Sequence, residues 1–451
     1  ALCRNEKVNA AMVARLAAVG RKAKLQGYEI LKAIKIDHRP FDIETNAILT
    51  PTLKLKRNIA ADYYRPDIDR MYAAITSTQT NSKGAVALVF GANFHVTDGA
   101  GTITASTTAN EQSGQVKIEG PLYGNIRAAA FSRDGLLFAV CTVDKGLHIY
   151  ETTGWATARR LQSEKRSNAL TFEPSGEYLI TADKFGDAHW VGTTSEYPET
   201  SKVLLGHVSN LCAVDFSFHE KPYVLTCDRD EKLRVSKYPN SYNIQAFGLG
   251  HTEFITSVAP ARFALDNAVT GSGDGTMRLW NMHTGELLQT VEMSTYLAKY
   301  YESGAALCTE NTYEDRTAAI RRYGVLRVRA VDAIDAFVAV VERIPAVLVF
   351  PFRHGKLAEA QVIDIAHPPT DVGVLGDRLV VSYAPTASGE LLTALRHDGD
   401  GYVADEELTA AFSANVTTLE TEDVPKVQSI FVWGNKMYLE RPKGEDADDQ
   451  E

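Results

Sequence analysis

From about Gly84 onward the chain alternates short apolar, β-branched runs with clusters of Gly, Asp, Asn and Ser, the pattern of strands joined by tight turns. Three runs end alike: Phe131-Ser-Arg-Asp-Gly135, Phe172-Glu-Pro-Ser-Gly176 and Phe216-Ser-Phe-His219 each close a strand and open a turn. Their offsets of 41 and 44 residues match the period of a four-stranded sheet repeated around an axis. On that period the chain divides into about seven repeats, near 84–120, 121–158, 160–203, 204–247, 249–292, 325–360 and 361–440. The first and last fit worst, as expected if closing the ring splices the two chain ends into one repeat.

A second signature lies inside the repeats. His207 precedes Asp230 by 23 residues and His251 precedes Asp274 by 23, each His following a Gly and each Asp opening a later strand. Such a His and Asp are expected to hydrogen-bond and lock a propeller blade, and the second copy closes on Ser272-Gly-Asp-Gly-Thr-Met-Arg-Leu-Trp280. The expected fold is all-β, a WD40-type β-propeller of seven blades over 84–440 with an N-terminal helical extension. His207, Asp230, His251, Asp274 and Trp280 are its structural residues.

In the extension, residues 1–83, Val8, Met12, Leu16, Val19, Leu31 and Ile34 recur at helical spacing between Asn5 and Ile36, with Arg15, Arg21, Lys22 and Lys24 on other faces. This predicts a helix that serves as a solvated extension, an organelle transit segment or an RNA-facing arm. Residues 293–324 interrupt the repeats with Tyr296, Tyr300, Tyr301 and a basic cluster from Arg316 to Arg322, and are expected outside the ring. The acidic run 441–451 is expected to be a disordered tail.

A formal charge of −10 disfavours a surface that binds nucleic acid throughout, so any RNA contact must be local. The five cysteines, Cys3, Cys141, Cys212, Cys227 and Cys308, are scattered and odd in number, which argues against a zinc site or disulfide framework and suits a reducing compartment. No apolar run reaches the length of a membrane span and no secretory leader is read at the start, so no membrane partner is expected.

Two segments imitate chemistry. Gly271-Ser-Gly-Asp-Gly275 offers G-x-G-x-G, but a nucleotide or S-adenosylmethionine loop needs a helix after it, and Met277-Arg-Leu-Trp280 reads as another strand. Asp398, Asp400, Gly401 and Glu407 fall where a calcium loop wants them, but Arg396 takes the place of the first carboxylate, so a polar insertion is expected and no metal. With no G-x-S-x-G, H-E-x-x-H or P-loop either, no catalytic residue is assigned.

Ala182-Asp-Lys-Phe-Gly-Asp187, Leu205-Gly-His-Val-Ser209, Asp228-Arg-Asp-Glu-Lys-Leu-Arg234, Tyr238-Pro239 and Gly250-His251 occur in an order that resembles one WD family, the non-catalytic subunits of tRNA (guanine-N7-)-methyltransferase. Weaker similarity runs from about Ala85 to Phe352. The resemblance implies a heterodimer in which a catalytic partner binds S-adenosylmethionine and forms N7-methylguanosine in the tRNA variable loop. This chain would hold no cofactor, would stabilise and activate that partner, and would meet tRNA mainly through the complex, in the nucleus and also the cytoplasm. Partner-binding positions carried over are Arg234, Lys232, Asp228, Arg229, Glu231 and Lys184, with Arg234 as an outward charge facing a partner carboxylate. The alternatives are a generic WD adaptor, such as a ubiquitin-ligase substrate receptor, and an autonomous methyltransferase.

Overall fold

The structure, a computed structural model, describes Met12, Arg15 and Leu16, then residues 75–109, 115–119, 124–198, 200–302, 324–383 and 390–416. Apart from those three helical positions, the expected N-terminal helix lies outside the described residues, as do the Arg316 to Arg322 cluster and the acidic tail.

Seven sheets are present among the described residues, each a meander in chain order, antiparallel except that Val116–Lys117 runs parallel to Ile103–Ser106 in the first and with Gln361–Asp364 returning to Ala346–Arg353 in the sixth. They are blades one to seven, at 75–117, 126–162, 167–206, 211–249, 255–292, 325–364 and 369–404. The first strand of every blade packs against the first strands of its two neighbours, and Ile75–Thr80 meets Pro369–Leu375, so the ring is closed. Seven apolar clusters fill the molecule, one between each pair of adjacent blades. Each blade therefore buries both faces against its neighbours, which is why second strands such as Ala336–Val341 read as unbroken apolar runs.

The expected start of the first blade is corrected, while the expected end near 440 lies outside the described residues. The first described strand of blade one starts at Ile75, ahead of Gly84, and the last described strand of blade seven, Tyr402–Ala404, is followed by the helix Glu406–Val416. Among the described residues, each of these two blades is built from its own stretch of chain. The seam is held by the buried Asp371, whose Oδ2 accepts from Ser77 Oγ at 3.1 Å and the Thr78 amide at 3.0 Å, while Oδ1 accepts from Arg327 Nε at 3.1 Å. Gly373 allows this approach, since a Cβ there would lie 2.9 Å from the methyls of both Thr78 and Thr80. The helix Glu406–Val416 covers the seam, burying Leu408 and Phe412 with Val86 and Leu88.

The decoy segments have plain structural roles. Gly273 to Gly275 turns between the strands Ala264–Ser272 and Thr276–Asn281. The calcium-like segment is a hairpin between Leu392–His397 and Tyr402–Ala404, and Asp398 Oδ1 accepts from the amides of Asp400 and Gly401. In the insertion, the helix Ser294–Glu302 buries Leu297 and Tyr300 between blades five and six.

The expected lock is complete in blade five. His251 Nδ1 lies 2.8 Å from Asp274 Oδ2 and Nε2 lies 2.7 Å from Thr270 Oγ1, which also accepts from Trp280 Nε1 at 2.8 Å. Burial keeps His251 neutral against the pull of Asp274, so Nδ1–H donates to the carboxylate and Nε2 accepts from Thr270. In blade four the expected His207–Asp230 pair is not formed. His207 Nδ1 instead lies 2.9 Å from Asp228 Oδ2, with Nε2 2.8 Å from Thr226 Oγ1. Asp228 occupies the repeat position of Ser272, two residues ahead of the expected aspartate, and Asp230 accepts from Ser209 Oγ at 2.6 Å.

Acidification should loosen the ring. Burial lowers His95 and His148 to about 4 and also lowers His251 from the ordinary 6.5, so between those limits the unfolded chain binds protons that the folded one refuses. Stability is present above pH 6.5 and is lost as pH falls below it. Burial works against the Asp274 charge, but His251 and Thr276 outweigh it and hold the carboxyl at about 2, adding a second loss below pH 3.8. Melting temperature should decline steadily from pH 7 to 4.5 in a calorimeter, and a flat or rising profile would contradict these assignments.

Candidate partner-binding surface

One face of blades three and four is formed by three contiguous connections: the turn 183–187, the loop 206–210 and the turn 228–232. The first two are locked by the His207 amide, which donates to Gly186 O at 2.8 Å. Gly186, at φ 105°, is required here, because a Cβ would lie 2.4 Å from His207 O. The second and third are joined by the Ser209–Asp230 hydrogen bond and by the Arg229 amide, which donates to Asn210 O at 2.8 Å.

This framework raises apolar side chains into solvent. Val208 is fully exposed at 101%, Phe185 is 57% exposed, and Leu249 stands at the outer end of blade four at 61%. Lys165 and Lys184 place their ammonium groups 5.2 and 4.8 Å from the Phe185 ring centre, and Lys165 also pairs with Asp187 at 2.8 Å. An apolar centre with a charged rim is the composition of a protein interface. Sequence reasoning passed over these residues as motif letters. A Phe and a Val in turn positions that ordinarily take polar residues were the available signal.

The carried-over positions divide into two groups. Lys184, Arg229, Glu231 and Lys232 are partly exposed on this face, with Glu231 at the tip of its turn at φ 73° and Lys232 Nζ donating to Asp230 O. Asp228 and Arg234 lie beneath it. Asp228 is 2% exposed and occupied by His207 and the Lys232 amide. The expectation that Arg234 is an outward charge is corrected: it is 8% exposed, and it donates to Gly206 O, Ser241 O and Ser236 Oγ at 2.9 Å each. Ser236 stands at the repeat position of Trp280, so blade four has a small hydroxyl where blade five has an indole, and the guanidinium folds onto it. Burial lowers the Arg234 pKa.

The chain resembles known proteins over much of its length. The family model for the tRNA methyltransferase TRM82 WD40 domain matches residues 191–401. A Xenopus laevis protein described as tRNA (guanine-N(7)-)-methyltransferase non-catalytic subunit wdr4 is 32% identical over 289 residues, which cover 63% of this chain and 69% of that one. This chain belongs to that family. The non-catalytic subunits of Homo sapiens and Debaryomyces hansenii are 36% and 35% identical, each over 38% of this chain and 41% of the relative. A chain in the crystal structure of the mitotic checkpoint complex aligns with TM-score 0.54 at 15% identity, covering 81% of this chain and 98% of that one, which supports the propeller fold alone. As a member of this family of non-catalytic subunits, the WD-repeat chain is not itself an enzyme. Burial pushes the thiols of Cys141 and Cys212 up to about 12.

Arg234→Ala should destabilise this family member's fourth blade. It takes the guanidinium donor from the buried Ser241 carbonyl and Ser236 hydroxyl and from the part-buried Gly206 carbonyl, at a cost of about 1–3 kcal/mol. Arg234→Lys should recover little, because one ammonium cannot reach three acceptors in a fixed fork. Chemical denaturation checks this, and a parental midpoint for Arg234→Ala would show that the guanidinium holds nothing.

Proposed function

We propose that this propeller binds a catalytic tRNA (guanine-N7-)-methyltransferase subunit through the face of blades three and four and holds it in an active conformation. The observation that carries the reading is the exposure of Val208 and Phe185 on a locked framework, with Lys165 and Lys184 beside the Phe185 ring and Arg229, Glu231 and Lys232 on the adjoining turn. The family to which the chain belongs supports the choice of partner. In this reading the partner binds S-adenosylmethionine and performs the transfer to N7 of a guanosine in the tRNA variable loop, within a nuclear heterodimer. The acidic propeller meets the tRNA mainly as part of the complex.

Activation needs no chemistry from this chain. A scaffold that binds the active form better shifts the partner's population toward it, and moving a 1:99 equilibrium to 99:1 takes about 5.5 kcal/mol of differential binding. Two or three buried anchors at about 2 kcal/mol or more each can supply that. Arg234 and Asp228 act one layer below: Arg234 fixes Gly206 and Asp228 fixes His207, the residues that carry Val208. The exposed Lys184, Arg229, Glu231 and Lys232 supply registration at the rim rather than most of the affinity.

Val208→Glu is the cleanest test, since it changes a side chain that touches little in this chain. The variant should melt like the parent, within about 0.5 kcal/mol. Its affinity for the purified catalytic subunit should fall at least about thirtyfold, and methylation by the mixture should fall with it. Parental binding and activation would overturn the reading. A main co-purifying protein unrelated to tRNA methylation would replace it with the adaptor alternative.

A further inference from the structure

On the face opposite this surface, three side chains from two blades converge without a role in the fold described so far. His219 lies in the connection between the first two strands of blade four, Asp266 in the second strand of blade five, and His283 in the turn before that blade's last strand. Nε2 of His283 lies 2.8 Å and Nε2 of His219 3.2 Å from the same atom, Asp266 Oδ1. The three donor atoms all lie within 4.8 Å of one another.

We propose that His219, Asp266 and His283 form a binding site for a divalent transition ion of the zinc type, which ties blade four to blade five. Zinc holds imidazole nitrogen and carboxylate oxygen at about 2.0–2.2 Å in a tetrahedron, which places neighbouring ligand atoms roughly 3.3 Å apart. The edge from His219 to Asp266, at 3.2 Å, matches that spacing, and the edge from His283, at 2.8 Å, needs to open by about half an ångström. The two rings are near-perpendicular neighbours, with centres 5.4 Å apart and planes at 75°.

The outer side of the cluster has the arrangement that a metal site requires. Each imidazole has its remote nitrogen held by a hydroxyl: His219 Nδ1 lies 3.0 Å from Ser217 Oγ, and His283 Nδ1 lies 3.0 Å from Tyr223 OH. A hydroxyl can accept from Nδ1–H, which leaves Nε2 free to bind an ion in place of its contact with Asp266. Ser217 is itself anchored, accepting from the Tyr223 amide at 2.8 Å. The side chains of His219, Asp266 and His283 are 19%, 62% and 42% exposed, so an ion can enter from solvent and keep water at its remaining position.

A second cluster provides the contrast. Asp183, Asp187 and His189 also converge, but Lys165 Nζ already lies 2.8 Å from Asp187 and 3.9 Å from Asp183. Asp183 Oδ1 is further taken by the amides of Phe185 and Asp187. A lysine ammonium stands where an ion would go, so this cluster is a natural control.

Zinc titrated by calorimetry into the chelator-treated full chain decides the matter. The expected result is one ion per chain at micromolar affinity, weakened at least tenfold by His283→Ala and by Asp266→Asn, and unchanged by His189→Ala. Zinc should also raise the melting temperature of the parent and not of His283→Ala. Both substituted side chains are well exposed, and His219→Ala gives an independent check on the same site. The absence of stoichiometric binding, or binding that survives both His283→Ala and Asp266→Asn, would overturn the proposal.

Discussion

A closed ring has to bring together residues that are nearly three hundred positions apart, and here that closure rests on one buried carboxylate. Asp371 receives a hydroxyl and an amide from blade one and a guanidinium from blade six, while sitting on blade seven itself. Burial penalises its charge, and Arg327, Arg329 and the surrounding amides outweigh that penalty, holding its pKa below the ordinary value. Removing one member of such a pair leaves an uncompensated charge and costs about 3–5 kcal/mol, a large share of any domain's stability. Beside this polar clamp lies an apolar seal, made by Leu408 and Phe412 of the covering helix.

The same economy operates at the proposed interface. Propeller turns are locked by side chains that reach across connections, and blade four uses an altered version of the lock found intact in blade five. Moving the aspartate from the turn to position 228 lets His207 pair with the strand, and this frees Asp230 to hold Ser209. With serine at 236, Arg234 lies inward against the strand end at Gly206. Both changes tighten the segment that raises Val208 into solvent. The departures from the repeat therefore coincide with the face that the family relationship makes functionally interesting.

Much of the fold was legible in the chain. Phe131, Phe172 and Phe216 do end the first strands of three successive blades, and the His251, Asp274 and Trp280 network has the partners its spacing implied. The ends were harder, because Ile75–Thr80 lacks the strong apolar run of a buried strand and the helix Glu406–Val416 has no counterpart in other blades. Blade four misled for a local reason: equal spacing between His207 and Asp230 could not show that Asp228 lay closer to the imidazole. Arg234 misled because strand alternation tells which residues share a face but not whether a neighbouring blade covers that face. The exposure of Val208 and Phe185 depends on how three separate turns meet, which no single segment encodes.

The central claim is that one face of blades three and four receives the catalytic subunit on a framework that is already rigid. Hydrogen exchange measured by mass spectrometry, on this chain alone and with the catalytic subunit, tests it most directly. Protection gained on binding should be concentrated in peptides covering 183–187, 206–210 and 228–232, with the seam around Asp371 and the opposite face near His283 unchanged. Protection centred on the opposite face, or spread evenly around all seven blades, would contradict it.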